Sequence, residues 1–376
     1  MALDERLRRE LERAGRPADP SGIYEDLIRR RERRRIVRKV ESGVLAIAVV
    51  AVSVAGVYGL SRVFGEDAER DTASPAVANG EILFSTPLEG EGEALMAVSP
   101  DGTGLRRLSP EGGAEYGSPD VSPDGRTVVV VHSLPSFVSE QVAVLATVPI
   151  EGGSPTWLTD DPAIVQDPAW SPDGRKIAFG GDGLNGLYVL DVETRKPQLI
   201  PGTDNMWTGN PTWSPDGNRI AFEGAVPEPD GPHGVTDSWD IFVIRLDGSE
   251  LMNLTNTRDE SETMPAWSWT INRIAFVATG PAEGGLVSIA PDGTDLRRVW
   301  DSENIPNDPV WSPNGEWLAF WVDTGQVYTV RANGTDPQPV AGAMGAPAWA
   351  IVPDDSDVTP MPTPAQPRIK SVAFAE

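Results

Sequence analysis

The stretch DPAWSPDGRKIAF, residues 167–179, decides the fold of this chain, because close copies of it recur along the sequence. Further copies begin at Ser118, Asn210, Met264 and Asp308, and a shortened copy, APAWA, begins at Ala346. The aligned serines of the five long copies are separated by 49, 43, 54 and 44 residues. A repeat of about 40–50 residues indicates one supersecondary unit used several times.

Each copy predicts a tight β-hairpin. In Ser-Pro-Asp-Gly, Pro fixes φ at the second position of a type I turn, Asp tolerates the third, and Gly takes a positive φ. A second hairpin follows in each unit, and its clearest examples, residues 95–109 and 286–300, are nearly identical in sequence. Each unit therefore contains four short strands.

Units of four strands with this spacing are typical of a β-propeller. The sequence predicts an all-β, six-bladed propeller over residues 80–352, in which the strand around Ala346 completes the first blade and closes the ring. We expect the aligned tryptophans to pack as apolar wedges between neighbouring sheets; they are Trp170, Trp213, Trp267, Trp311 and Trp349.

The N-terminal part has a different character. Residues 1–41 contain 13 Arg or Lys against 9 Asp or Glu, whereas the remainder contains 18 basic and 47 acidic residues, a net charge of −29. The uncharged run Ser42–Leu60 would span roughly 28 Å as a helix, close to the thickness of the hydrocarbon core. We therefore predict one transmembrane helix at 42–61, with residues 1–41 in the cytoplasm and the propeller outside the cell membrane.

Three further segments follow from this division. Residues 1–41 predict a basic, helical cytoplasmic stub, which offers a surface for a cytoplasmic partner. Residues 62–80 are a polar linker, and residues 353–376 are a Pro-rich tail ending in RIKSVAFAE.

Composition excludes several functions. The chain has no Cys and 2 His, which excludes disulfides, thiolate nucleophiles, iron–sulfur clusters and a three-histidine metal site. The acidic balance argues against nucleic acid as a partner, since phosphate binding needs Lys and Arg.

The repeated phrase resembles the TolB-like propeller repeat, which also occurs in the propeller domains of prolyl oligopeptidase relatives. The resemblance implies the propeller fold and, from TolB, an envelope protein that binds another envelope protein. Two departures limit it. TolB has a separate α/β domain and no membrane anchor, and the peptidases carry a hydrolase domain with a Gly-x-Ser-x-Gly motif, which is absent from this sequence. We therefore expect no peptidase activity and assign no catalytic residue.

Candidate binding residues lie on the face opposite the Ser-Pro-Asp-Gly turns. Asp167, Asn210 and Asp308 precede the Pro-x-Trp strands and should lie nearest the channel, where a Ca²⁺ ion is conceivable although no resident cofactor is predicted. His132, His233 and Trp207 fall in or beside the long insertions and acidic connections of the same face. The alternative is that these are turn formers and solvated acids.

Three functions stay open at this point. The first is a membrane-anchored extracytoplasmic binding module for an envelope protein or polysaccharide. The second is a single-span sensor that couples an outside ligand to a cytoplasmic partner. The third, ranked last, is a metal-dependent propeller lactonase or lyase, because no acid–base pair is recognisable.

Overall fold

The computed structural model describes residues 79–352, except for residues 89–91, 112–114, 134–142, 160–164, 182–183, 227–237, 258–259, 281–284 and 302–303. Within these residues no helix is long and apolar enough to cross a membrane. The predicted span Ser42–Leu60 and the boundaries at 41, 61 and 353 lie outside the described residues and stay predictions.

The described strands form six sheets of four antiparallel strands, which confirms the six-bladed propeller. Blade one contains β24 (Pro347–Ile351), β1 (Asn79–Leu88), β2 (Gly92–Val98) and β3 (Arg106–Arg107). Blade two contains β4 (Glu115–Val121), β5 (Thr127–Ser133), β6 (Ala143–Pro149) and β7 (Thr156–Trp157). Blade three contains β8 (Gln166–Trp170), β9 (Lys176–Gly181), β10 (Leu184–Asp191) and β11 (Lys196–Leu199).

The remaining blades repeat this plan. Blade four contains β12 (Trp207–Trp213), β13 (Arg219–Ala225), β14 (Asp240–Arg245) and β15 (Met252–Asn253). Blade five contains β16 (Ser261–Trp267), β17 (Ile274–Thr279), β18 (Gly285–Ile289) and β19 (Arg297–Trp300). Blade six contains β20 (Pro306–Trp311), β21 (Trp317–Val322), β22 (Gln326–Arg331) and β23 (Gln338–Met344).

The ring closes as the sequence predicts. β24 pairs antiparallel with β1, with Trp349 opposite Ile82, so the two ends of the propeller share blade one. The first strands of neighbouring blades contact each other all the way around, from β4 through β8, β12, β16 and β20 to β24 and back to β4. They are therefore the innermost strands and surround the central axis.

The hydrophobic core consists of six clusters, one between each pair of neighbouring blades. Each repeat tryptophan packs against the blade before its own, as Trp213 does beside Ala178 and Leu187 of blade three. These five indoles are at most 7% exposed, and each belongs to a cluster between neighbouring blades. Val121 replaces the indole in blade two and fills the same cluster position.

The Ser-Pro-Asp-Gly turns form as predicted. In blade three the amide of Gly174, at φ +67°, donates to the carbonyl of Ser171 at 2.9 Å. In blade five Trp269, Thr270 and Ile271 replace Pro-Asp-Gly, and Asn272 takes the positive φ instead, at +49°. The hairpin is still closed there, because the amide of Ser268 donates to the carbonyl of Arg273 at 2.8 Å.

Strand direction defines two surfaces. The first-to-second and third-to-fourth connections of each blade form one surface, which we call the turn face. The second-to-third connections and the links between blades form the other, which we call the loop face.

Candidate functional site

The innermost strands share an unusual backbone feature. The residue before the repeat proline has a positive φ of 45–56° in five blades, and these residues are Ser118, Asp167, Asn210, Met264 and Asp308. In each of these strands the pairing register shifts at this point. We call these five residues the bulge ring.

Two local backbone preferences disfavour this conformation. Non-glycine residues rarely adopt positive φ, and a following proline favours extended backbone. Each such residue costs of order 1–3 kcal/mol of folding free energy, and it persists because interactions of the surrounding structure enforce the conformation. Because Ser, Asp, Asn and Met all adopt it here, the backbone shape belongs to the propeller and only the side chains differ between blades.

Side chains of the bulge ring connect neighbouring blades. The Ser118 hydroxyl donates to Asp167 Oδ1 at 3.1 Å, and the Asp308 amide lies 3.3 Å from the Met264 sulfur. The Met264 amide donates to Oε2 of Glu223 at 2.9 Å, and Glu223 is only 6% exposed. The predicted candidates Asp167, Asn210 and Asp308 therefore lie within the innermost strands, and not in the connections before them.

The two aspartates of the ring have different surroundings. Asp308 Oδ2 accepts a hydrogen bond from the indole of Trp321 at 2.7 Å. Asp167 Oδ2 is buried and has no hydrogen-bond partner among the described residues. A buried carboxylate oxygen in this state is under-satisfied, which distinguishes Asp167 from Asp308.

Asp120 is a neighbouring carboxylate that sequence reasoning missed. It lies on β4 just after the bulge, and its Oδ2 accepts the amide of Trp170 at 2.6 Å. Burial raises the pKa of Asp120 to about 7, and the hydrogen bonds from Trp170 and Val121 only partly oppose this. Thr212 of blade four makes the matching contact, because its hydroxyl accepts a hydrogen bond from the amide of Trp267 in blade five.

His132 is not a loop residue. It lies in β5, is 4% exposed, and its ring stands 4.8 Å from that of Tyr116 and 6.4 Å from that of Trp157. Burial lowers its pKa, so the imidazole is neutral near pH 7. Its Nδ1 has no partner in the described part of the chain. Its ring neighbours Tyr116 and Trp157 belong to or pack against the cluster between blades one and two.

Trp207 and His233 are the two remaining predicted candidates. Trp207 is the first residue of β12 and is half-buried at the loop-face end of that strand. His233 lies in residues 227–237, outside the described residues, so its candidacy stays a prediction. Trp207 lies three residues before Asn210 on β12, and His132 pairs with Tyr116, two residues before Ser118 on β4.

A second group that sequence reasoning missed lies where blades four and five meet the loop face. Glu262 is 2% exposed, and the hydroxyl of Thr257 is 2.9 Å from both of its carboxylate oxygens. Burial raises the pKa of Glu262 to about 7, and the nearby charges of Asp240 and Glu260 add to this. The sequence showed only an acidic connection here, without a signal for burial.

The aspartates of the turn face are turn formers. Asp216 accepts the hydroxyl of Ser214 at 2.6 Å and the amide of Asn218 at 3.1 Å, and Asp124 and Asp173 make the same pattern. Within the described residues no three His, Asp or Glu side chains are grouped so as to hold a metal ion.

Charge is divided between the two faces. The described acids at the loop-face ends of strands and in its connections are Glu93, Glu111, Glu115, Asp204, Asp240, Glu260, Glu262, Asp301 and Asp323. Two described arginines extend toward that face, and both are bonded: Arg107 to the carbonyls of Ser109 and Pro110, and Arg298 to Asp301. The other described Lys and Arg residues lie at the turn-face ends of their strands or in its turns.

Comparison with known proteins agrees with this architecture. A family model described as the TolB beta propeller domain matches residues 145–336, half of the chain. The chain belongs to this family of β-propellers, as the repeated phrase suggested.

Individual relatives are more distant. The chain is 27% identical over 216 residues to a protein named uncharacterized peptidase YuxL, from Bacillus subtilis (strain 168); the match covers 54% of this chain and 28% of that protein. The crystal structure of TolB from Acinetobacter baumannii is 18% identical with a TM-score of 0.57, covering 72% of this chain and 66% of TolB. A chain of the nidogen/laminin complex has a TM-score of 0.56 at 11% identity, covering 72% of this chain and 98% of that one. At these identities the structures show the shared fold alone.

Proposed function

We propose that this protein is a membrane-anchored extracytoplasmic propeller that binds a cationic surface of an envelope protein or polymer through its loop face. The observation that carries the proposal is the division of charge between the faces. Carboxylates dominate the described loop face, and its two described arginines are already bonded. Such a surface attracts a cationic partner and speeds its association.

The bulge ring adds a second reason. Asp167 and Asp308 stand among the innermost strands, and Asp167 keeps an oxygen without a described partner. These carboxylates add negative charge to the centre of the ring, which favours a lysine or arginine side chain of a partner.

The anchoring part of the proposal depends on sequence alone. The run Ser42–Leu60 has no charged residue and follows the cluster RRRERRRIVRK at residues 29–39. An excess of Arg and Lys beside an apolar span marks its cytoplasmic side. The proposal assigns no catalysis to the propeller, because no Gly-x-Ser-x-Gly motif or acid–base pair is recognisable in the sequence.

Site-specific photo-cross-linking in intact cells tests the binding face. A photoreactive residue at Asp204 or Asp301 reports the loop face, and one at Arg175 or Glu316 reports the turn face; all four side chains are exposed. We expect cross-links to a protein or polymer of the envelope from the loop-face positions only. Raising the salt to about 1 M shortens the Debye length to about 3 Å and should weaken them. Equal cross-linking from both faces would overturn the proposal.

The absence of native cysteine allows a clean test of topology. A membrane-impermeant maleimide applied to intact cells should label Asn218→Cys and leave Ala14→Cys unlabelled, and the chain should resist carbonate extraction. Labelling of Ala14→Cys in intact cells, or release by carbonate, would refute the anchored orientation.

A further inference from the structure

Both ends of the propeller lie at the turn face. β1 begins with Asn79 at this face, and Asn79 pairs with Ile351 at the end of β24. The amide of Asn314, in the Ser312–Gly315 turn of blade six, lies 3.3 Å from Asn79 Oδ1. The described chain therefore enters the propeller at the turn face, at Asn79, and leaves its last strand at the same face, at Ile351.

The turn face exposes leucine at one repeated position. Leu105, Leu251 and Leu296 are 51%, 42% and 63% exposed, and each occurs four residues after the Asp of a third-to-fourth turn. These turns are stiff, because Asp101, Asp247 and Asp292 each accept the amide and the hydroxyl of the Thr or Ser two residues later. The leucines are thus held outward by the turns that precede them.

The turn face carries charges of both signs, and several of them form ion pairs. Arg245 bonds Glu250 at 2.8 Å, Arg273 and Arg297 both bond Asp295, and Arg331 lies 3.8 Å from Asp336. The turn face therefore lacks the uniform negative charge of the loop face. Long arginine stems also accommodate an interface, because their guanidinium groups reach water or phosphate while their methylenes stay in apolar surroundings.

We propose that the turn face rests on the lipid surface, with Leu105, Leu251 and Leu296 entering the headgroup region. This inference rests on the proposed membrane anchoring. Lipid is the occupant that the observations favour, since the chain arrives at this face from the apolar span Ser42–Leu60. Anionic headgroups repel the acidic loop face more strongly than the turn face, whose carboxylates lie among most of the described arginines and lysines.

The proposal also assigns roles to the two faces. With the turn face on the bilayer, the acidic loop face and the mouth of the channel point away from the membrane toward a partner. Exposed apolar residues also occur on the loop face, namely Leu199, Val226 and Ile305. They provide a control equal in number to the leucines, with exposures of 37%, 49% and 37%.

The test uses the full chain reconstituted in vesicles of phosphatidylcholine and phosphatidylglycerol that contain a headgroup-level quenching lipid. A fluorophore on Glu316→Cys reports the turn face, and one on Asp301→Cys reports the loop face. We expect quenching at Glu316→Cys to exceed that at Asp301→Cys several-fold. The triple variant Leu105→Ser, Leu251→Ser, Leu296→Ser should remove that difference, whereas Leu199→Ser, Val226→Ser, Ile305→Ser should preserve it.

Each outcome decides the matter. If the chain fails to float with the vesicles, the anchoring fails and the inference fails with it. If the chain floats but both fluorophores are quenched equally, the anchoring stands and the inference is overturned. If turn-face quenching is low at many chains per vesicle and the triple leucine variant abolishes self-association, a second copy of the chain covers this face and the inference is again overturned.

Discussion

The turn face and the loop face are built by the same strands yet differ in how their polar groups are satisfied. Connections of the turn face are short and nearly identical, and each aspartate bonds within its own turn, as Asp216 does with Ser214. Connections of the loop face vary in length and lie beside buried groups such as Glu262 and His132. The repeated turns determine the architecture, and the variable loops contain the residues that distinguish this propeller from others of the same fold.

The largest expected difference between the faces is in the loss of unfolding free energy when one of two tryptophans of the same strand is replaced. Trp213 ends β12 near the turn face, is 1% exposed, and its indole donates to the carbonyl of Ala169 at 3.0 Å. Trp207 begins the same strand at the loop face and is half-buried. Trp213→Ala should lower the free energy of unfolding by about 3–5 kcal/mol, and Trp207→Ala by about 1 kcal/mol. Denaturant titration of the full chain in detergent measures both, and equal losses would contradict the wedge role.

The second comparison concerns the response to pH. The folded pKa of Glu262 is raised to about 7, so its charged form destabilises the fold, and stability is lost as pH rises through that value. Glu262→Gln should therefore stabilise the chain increasingly from pH 5 to 8, by up to about 3 kcal/mol at about 1.4 kcal/mol per pKa unit. Unfolding free energies measured across this range test the expectation.

Asp216 on the turn face is the matched control. The hydrogen bond from Ser214 holds its pKa below the usual range, so its stabilisation is present above the unfolded pKa and disappears as pH falls through the folded pKa. Asp216→Asn should cost less than about 1 kcal/mol near neutral pH, since the group is exposed. If both variants followed the same pH trend, the contrast between the faces would be lost.

The fold could be predicted from the sequence because its signals are local and repeated. Five copies of one phrase located the hairpins, and the orphan copy at Ala346 revealed the closing strand that pairs with β1. The blade-five turn also kept its place, although Asn272 supplies the positive φ that Gly supplies elsewhere.

The candidate site could be predicted only in part, because burial and backbone strain depend on neighbouring blades. Local rules favour extended backbone for Asp167 before Pro168, yet the propeller holds it at φ +49°. The acidic run around Glu262 suggested solvent exposure, but Thr257 and the adjoining blade enclose this side chain. The sequence placed His132 at the start of an insertion. In the structure His132 pairs with Tyr116, so β5 continues past this residue.

The smallest expected difference concerns two arginines of blade five. Arg273, near the turn face, is 12% exposed and donates to the carbonyl of Ser288 at 3.0 Å, the carbonyl of Asp295 at 2.6 Å and Asp295 Oδ2 at 2.8 Å. Arg298 makes an ion pair of 3.5 Å with Asp301, in which both side chains are exposed.

Arg273→Ala should cost about 2 kcal/mol, since it removes three hydrogen bonds from one charged donor and leaves two carbonyl groups without it. Arg298→Ala should cost below about 1 kcal/mol, because water and salt screen an exposed pair. Unfolding free energies at low and high salt separate the two, since only the Arg298 effect should shrink further with salt. A larger loss for Arg298→Ala would mean that ion pairs of the loop face stabilise the fold. The acids of that face would then have a structural role and would support the proposed binding of a cationic partner less.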